Sequence, residues 1–377
     1  MTIYLHAGTP KTGTTALQNF LETNKKLIEE AGYKLPSFVE GPNHRELAGY
    51  ALDDSNITPL KIEMRLTDSE AIRHFRGSID EQFSEEIDST SDYIFTSEYC
   101  TAYLHTRPEL ERLRQLLTST GQDIKVVIYF REPAEYLAST YSTLIKNGGT
   151  HPLRLPNERA LKTKYNYFFI CRNWSSVFGR EAIIPRPFVR SDLSGGTIEK
   201  DFLELLGVPN DLIETASFSD KDSNASLDPT VLAFLLAVNA HVPRIIDQKV
   251  NPLRDDLGQI CERLSGEDKT LVPERIRRAL YNALVDDIAK FNERFLAGSY
   301  IWPFPPYSTE GKRPIEPLTS EQMAQVFAAV WQEKVQQIRI KKTHTDHDAL
   351  EPAEESPAPQ AKDGAGYFRR LLTKRRM

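Results

Sequence analysis

Apolar and β-branched residues cluster in short runs along the chain, "TIYL" at 2–5, "DYIFTSE" at 92–98, "IKVVIYF" at 124–130 and "EAIIPRPF" at 181–188. Each is too short for a core helix and fits a buried strand. Between them the apolar period lengthens to that of a helix. In "TTALQNFLETNKKLIEEAG" at 14–32, Leu17, Phe20 and Leu21 share one face, Leu27 and Ile28 extend it, and Gly32 supplies a stop. Strands alternating with helices predict an α/β fold, a central parallel sheet flanked by helices. From about 222 to 300 the pattern is helical, with "LDPTVLAFLLAVNAHV" apolar enough for burial and "PERIRRALYNALVDDIAKFNERF" amphipathic, which predicts a helical closing layer.

These patterns divide the chain into an α/β domain over 1–305, a peripheral helical segment over 306–340, and a tail over 341–377. Within the domain, residues 33–90 mix prolines, histidines and charged helical stretches and are expected to form an insertion over the substrate site. The tail opens with "HTDHDALEPAEESPAPQAKDGAG", too poor in large apolar residues to fold, and ends in the basic amphipathic "YFRRLLTKRRM". Such an end is read either as solvated or as a weak peripheral contact with an anionic membrane surface. His344 and His347 lie in this tail and make no metal motif. No internal repeat is visible.

Charge narrows the partners. A net charge of −6 argues against general nucleic-acid binding while leaving room for a local basic pocket that holds a small anion. Cys100, Cys171 and Cys261 are too dispersed for a zinc site or disulfide framework and suit a reducing compartment. Without a run of about 18 apolar residues, and with the first strand starting near residue 2, neither a membrane span nor a cleaved signal is expected, which places the protein in the cytoplasm.

Two segments carry the chemistry. "HAGTPKTGTT" at 6–15 leads from the first strand into the first helix, with Gly8 and Gly13 spaced as in a phosphate loop. A strand, a glycine turn and a helix start aim several backbone N–H groups at one point, which is an anion site. Gly13 permits close approach of the backbone, Thr14 and Thr15 add hydroxyl donors, and Lys11 adds an ammonium. The lysine that supports a γ-phosphate is replaced by Thr14, so a nucleotide with a shorter anionic end fits better than ATP. The second segment, "YFREPAEYLASTYS" at 129–142, sets Arg131 just past a strand, Pro133 in the first helical turn and Ser139 two turns on. An arginine there faces the crevice where open α/β sheets bind ligands, with a planar fork suited to phosphate; the competing reading is a surface pair with Glu132 or Glu135.

Together the segments resemble the sulfotransferases that use 3′-phosphoadenosine 5′-phosphosulfate (PAPS). That family has a P-K-[ST]-G-T-[ST] loop, matched by Pro10-Lys11-Thr12-Gly13-Thr14-Thr15, and an R-x-P-x-x-x-x-x-S segment, matched by Arg131, Pro133 and Ser139. Weaker likeness to bacterial carbohydrate-type members runs through "FVRSDLSGGTIEKDFLELLGV", "SNASLDPTVLAFLLAVN" and "KFNERF", covering about residues 1–300. The resemblance implies a P-loop fold, PAPS as co-substrate with no metal, and transfer of a sulfuryl group to a hydroxyl on a carbohydrate or glycolipid. It implies that Lys11 bonds the bridging oxygen, that the loop residues Thr12 to Thr15 hold the 5′-phosphate, and that Arg131 and Ser139 hold the 3′-phosphate. For the base, Glu98 at the end of strand 92–98 stands where the family places a glutamate or histidine; the K-T-H form is absent, and Ser97 is alternatively a nucleotide or acceptor contact. His6 competes for the role, while His105 and His151 are too loosely placed. A P-loop kinase or triphosphatase, and a catalytically silent nucleotide-binding scaffold, are the alternative readings.

Overall fold

The computed structural model describes residues 1–218, 226–246, 249–251, 254, 256–299 and 307–348. A parallel sheet of five strands, β1 (Thr2–His6), β2 (Tyr33–Lys34), β3 (Asp92–Thr96), β4 (Asp123–Phe130) and β5 (Ile183–Pro187), runs in the order β2-β3-β1-β4-β5. The helices of the first half are α1 (Thr14–Thr23), α2 (Lys25–Glu30), α3 (Arg45–Ala51), α4 (Pro59–Glu63), α5 (Ser69–Glu86), α6 (Glu98–Tyr103), α7 (Arg107–Leu117) and α8 (Pro133–Lys146). Helices over Tyr167–Phe178, Pro229–His241, Leu257–Leu264 and Glu274–Phe295 follow, and the central parallel α/β sheet expected from the sequence is present.

Side-chain alternation sorts the core into two layers. Ile3 and Leu5 of β1, Tyr93 and Phe95 of β3, and Val126, Ile128 and Phe130 of β4 face one side, against α3, α5, α7 and the helices at 167–178 and 274–295. Ile94, Val127 and Tyr129 face the other, where Leu17, Phe20 and Leu21 of α1 and Ile198 and Phe202 pack. From Val126 to Phe130, β4 is buried without interruption, as a strand covered on both faces must be.

The strand order fixes where a ligand can sit. From β1 the chain moves to the β3 side of the sheet, and from β4 it moves to β5. Consequently the carboxyl ends of the adjacent strands β1 and β4 bound a crevice at the switch point. Residues 7–13 leave β1 there and Arg131 leaves β4 there.

Some elements differ from the sequence reading. The helix drawn over 14–32 is two helices broken at Asn24, whose side chain bonds the Phe20 and Ser217 carbonyls at 2.9 and 3.0 Å and accepts the Ser217 N–H at 2.8 Å. The segment 33–90 contributes a strand, β2, besides helices. The third strand stops at Thr96, so Glu98 is the first residue of α6 and does not close the strand. A helix over Ser320–Asp348 runs past 340 into the stretch read as tail. The tail's remainder, including the basic amphipathic end, lies outside the described residues. The chain divides into two units, Met1–Phe327 and Ala328–Met377. Among the described residues no helix is long and apolar enough to cross a membrane.

Candidate functional site

The loop after β1 is built into the sheet. Ala7 N–H donates to the Val127 carbonyl at 2.9 Å, and Thr9 Oγ1 donates to the Tyr129 carbonyl at 2.8 Å. Thr12 Oγ1 is spent on the Thr9 carbonyl at 2.6 Å, which makes this hydroxyl a brace of the loop. The turn needs left-handed backbone at Lys11 (φ 71°) and Gly13 (φ 77°). At Gly13 an added Cβ would also lie 3.1 Å from Ile198 and 3.3 Å from Phe188, so glycine is required there by conformation and by space. The hydroxyls of Thr14 and Thr15, at the start of α1, have no hydrogen-bond partner among the described residues.

His6 lies under this loop, fully buried, edge-on to Tyr129 and Phe202. Neither ring nitrogen has a hydrogen-bond partner among the described residues, and burial drives its pKa down to about 3. An imidazole sealed from solvent and held neutral is a packing group, and the base role considered for His6 is removed.

Arg131 meets the loop from the β4 side: Nη1 donates to the Lys11 carbonyl at 3.3 Å, while Nε and Nη2 each reach Glu135 Oε2 at 3.3 Å. The pairing with Glu135 weighed from the sequence therefore exists, and it is contained within the crevice. Glu135 is shared with Lys312 Nζ at 3.2 Å, so the segment expected to be peripheral delivers a nearly buried ammonium to the Arg131 cluster. The charges of Arg131 and Lys312 hold the Glu135 carboxyl below the usual range against the opposing effect of burial. Glu132 caps α8 instead, accepting from Glu135 N–H at 2.8 Å and Tyr281 Oη at 2.7 Å.

On α8, Glu135, Ser139, Ser142 and Lys146 follow at spacings of four, three and four and share one face. The Ser139 hydroxyl has no hydrogen-bond partner among the described residues. Lys146 pairs with Glu262 at 2.6 Å. Burial lowers the Lys11 ammonium below its ordinary range, the positive charges of Lys146 and Arg131 lower it further, and Glu262 and Glu98 oppose them. Three cations thus share one electrostatic field at the crevice, which favours an anion between them.

Glu98 enters from α6, where Gln18 Nε2 of α1 donates to its Oε2 at 2.6 Å. Ser97 N–H donates to the His6 carbonyl at 2.8 Å, which aligns the start of α6 with the loop. Lys11, Arg131 and Glu98 therefore meet at one end of the sheet, with Thr14, Thr15 and Ser139 on the adjoining helices. Lys146, Lys312 and Gln18 are the additions that sequence reasoning missed. The polar spacing 135-139-142-146 on α8 was a readable signal for Lys146; nothing local pointed to Lys312.

No protein-family model matches this chain, and no curated protein matches it. A solved structure described as "Crystal Structure of Sulfotransferase from Alicyclobacillus acidocaldarius" is similar over 78% of this chain and 95% of that one, at 13% identity and a TM-score of 0.36. A likeness of that size does not assign an activity.

Proposed function

We propose that this protein transfers the sulfuryl group of PAPS to an acceptor hydroxyl on a carbohydrate or glycolipid. The observation that carries the reading is the pairing of the two anion-binding segments: the loop bearing Lys11 and the arginine after β4 are joined through the Arg131–Lys11 carbonyl bond. A nucleotide phosphorylated at both ends has an anion for each. In this reading Thr14, Thr15 and the N–H groups at the start of α1 hold the 5′-phosphate, and Arg131 and Ser139 hold the 3′-phosphate.

The chemistry is an in-line displacement at sulfur. The acceptor oxygen forms a bond to sulfur as the bond from sulfur to the bridging oxygen breaks. Glu98 takes the acceptor's proton, and the Lys11 ammonium hydrogen-bonds the bridging oxygen as charge grows there. The products are a sulfate ester and 3′-phosphoadenosine 5′-phosphate (PAP). With Thr14 in place of the phosphate-loop lysine, no group of this loop fills the γ-phosphate role that a kinase requires.

Thermal unfolding with PAP, with adenosine 5′-phosphate and with Mg-ATP tests the donor. PAP at about 100 times its Kd adds about 2.7 kcal/mol of stability. Mg-ATP at the same concentration adds much less, and Arg131→Ala loses the preference for PAP over adenosine 5′-phosphate. Equal stabilisation by Mg-ATP, or a preference that survives Arg131→Ala, refutes the assignment.

A further inference from the structure

A cavity of about 210 Å³ opens between α1 and residues 35–44, at the carboxyl end of β3. Its walls include Leu21, Leu35 and Val39, with Gln18, His44 and Thr96 as polar groups. Gln18 connects this space to Glu98, because its Nε2 donates to the Glu98 carboxylate. A carboxylate only accepts, so the amide nitrogen must face Glu98, and Gln18 Oε1 is left without a partner among the described residues.

His44 is held here at some cost. Its backbone is left-handed (φ 37°, ψ 47°), a conformation that residues with a Cβ persist in only where their surroundings enforce it. The enforcement comes from Thr96: its N–H donates to His44 Nδ1 at 3.1 Å and its hydroxyl donates to the Pro42 carbonyl at 2.6 Å. Because Nδ1 accepts, the ring proton of the neutral imidazole sits on Nε2. The side chain is 6% exposed, and Nε2 has no protein partner among the described residues. Burial holds the ring neutral, with a pKa of about 3, so it acts as a hydrogen-bond donor without charge.

We propose that this cavity seats one uncharged sugar ring of the acceptor, with His44 Nε2–H and Gln18 Oε1 bonding its hydroxyls and thereby presenting a neighbouring hydroxyl to Glu98. A hydroxyl both donates and accepts, which matches one free donor on the residue 35–44 side and one free acceptor on α1 among the lining groups. The apolar walls suit the C–H face of the ring. The volume lies below the about 300–1,000 Å³ of pockets for drug-sized ligands, which leaves room for about one ring inside it. Glu22 and Lys25, of opposite charge, both line the cavity, so its side chains carry no net positive charge to favour an acidic sugar. The inference rests on the sulfuryl-transfer reading for the role of Glu98, but binding to the cavity does not need the donor.

The test therefore has two arms. In the first, methyl α-glucoside and methyl β-galactoside are offered to the PAP-saturated and nucleotide-free protein, with binding read by saturation-transfer NMR. In the second, sulfated product is measured with PAPS. Glucuronate and p-nitrophenol serve as charged and planar comparisons. Binding of at least one neutral glycoside is expected. His44→Phe, which keeps volume and loses the donor, and His44→Asn, which tolerates left-handed backbone, should each weaken it about tenfold or more, with PAP affinity within about twofold of the parent. Glycoside binding with the same affinity in both variants, or glucuronate or p-nitrophenol as the only ligands, overturns the proposal. So does a protein that binds PAP but no glycoside. Glycoside binding that depends on His44 in a protein that refuses PAP would instead sink the donor reading and leave the sugar site standing.

Discussion

Glu132 turns the crevice into a pH-dependent element of the fold, and Glu132→Gln measures it. The residue is 2% exposed, and burial raises its carboxyl from the ordinary 4.5 to about 7, partly offset by bonds from Tyr281 and the first N–H groups of α8. A raised carboxyl contributes its full stability below about 4.5 and loses it as the pH climbs through about 7, because the unfolded chain ionises first. At about 1.4 kcal/mol per pH unit, the loss across that window is about 3 kcal/mol. Glutamine cannot ionise, so the variant has none of this loss. It gives up one of the two accepting oxygens that serve Tyr281 and Glu135, costing about 1 kcal/mol. The two proteins should thus be nearly equal in stability near pH 5, and the variant the more stable near pH 8 by about 2 kcal/mol. Urea unfolding of both proteins at intervals from pH 4.5 to 8 gives the difference curve, in which carboxylates common to both, such as Glu109, cancel. A difference that stays flat would show that Glu132 ionises in the folded protein as it does in water.

Lys11→Ala should depress turnover much more than PAP binding, because its strongest bond forms as the bridging oxygen gains charge; equal losses would make it a ground-state anchor. Glu98→Gln keeps the size that Gln18 packs against but cannot take a proton, so turnover should fall by about 10² or more with PAP affinity nearly unchanged, and near-normal turnover would remove it as the base. Gly13→Ala forces a side chain into left-handed backbone against Ile198 and Phe188, and should cost about 1–2 kcal/mol by urea unfolding together with most PAP affinity. Wild-type stability in that variant would mean that the loop adapts freely.

Local pattern was enough for the strands and for the loops that follow them. β1, β3, β4 and β5 announce themselves because buried parallel strands are short apolar runs, and the switch-point crevice then puts Lys11 and Arg131 together. What failed depends on partners far away in the chain. The break at Asn24 is set by Ser217, and β2 is only Tyr33–Lys34, too short to have a pattern. Glu98 falls one element later than its pattern suggests because the extended backbone at Ser97 continues the strand's appearance while the helix begins immediately after it. Gln18 and His44 look like ordinary residues of a helix and a loop until α1 and β3 bring them beside Glu98 and Thr96. Lys312 reaches Glu135 from 177 positions along the chain, a relation that no spacing encodes.

The bonds from Ala7 and Thr9 to β4 have one more effect. Arg131 leaves that same strand, so the Lys11 loop and the Arg131 segment are mounted on one sheet, whose hydrogen bonds fix their separation. The crevice acts as a gauge of length. If the proposed donor binds here, a nucleotide should be accepted when the distance between its anionic ends matches the span between the segments. An analogue bearing the same two phosphates on a tether too short to reach both segments should bind more weakly, because the β1–β4 hydrogen bonds keep the sheet from contracting to meet it.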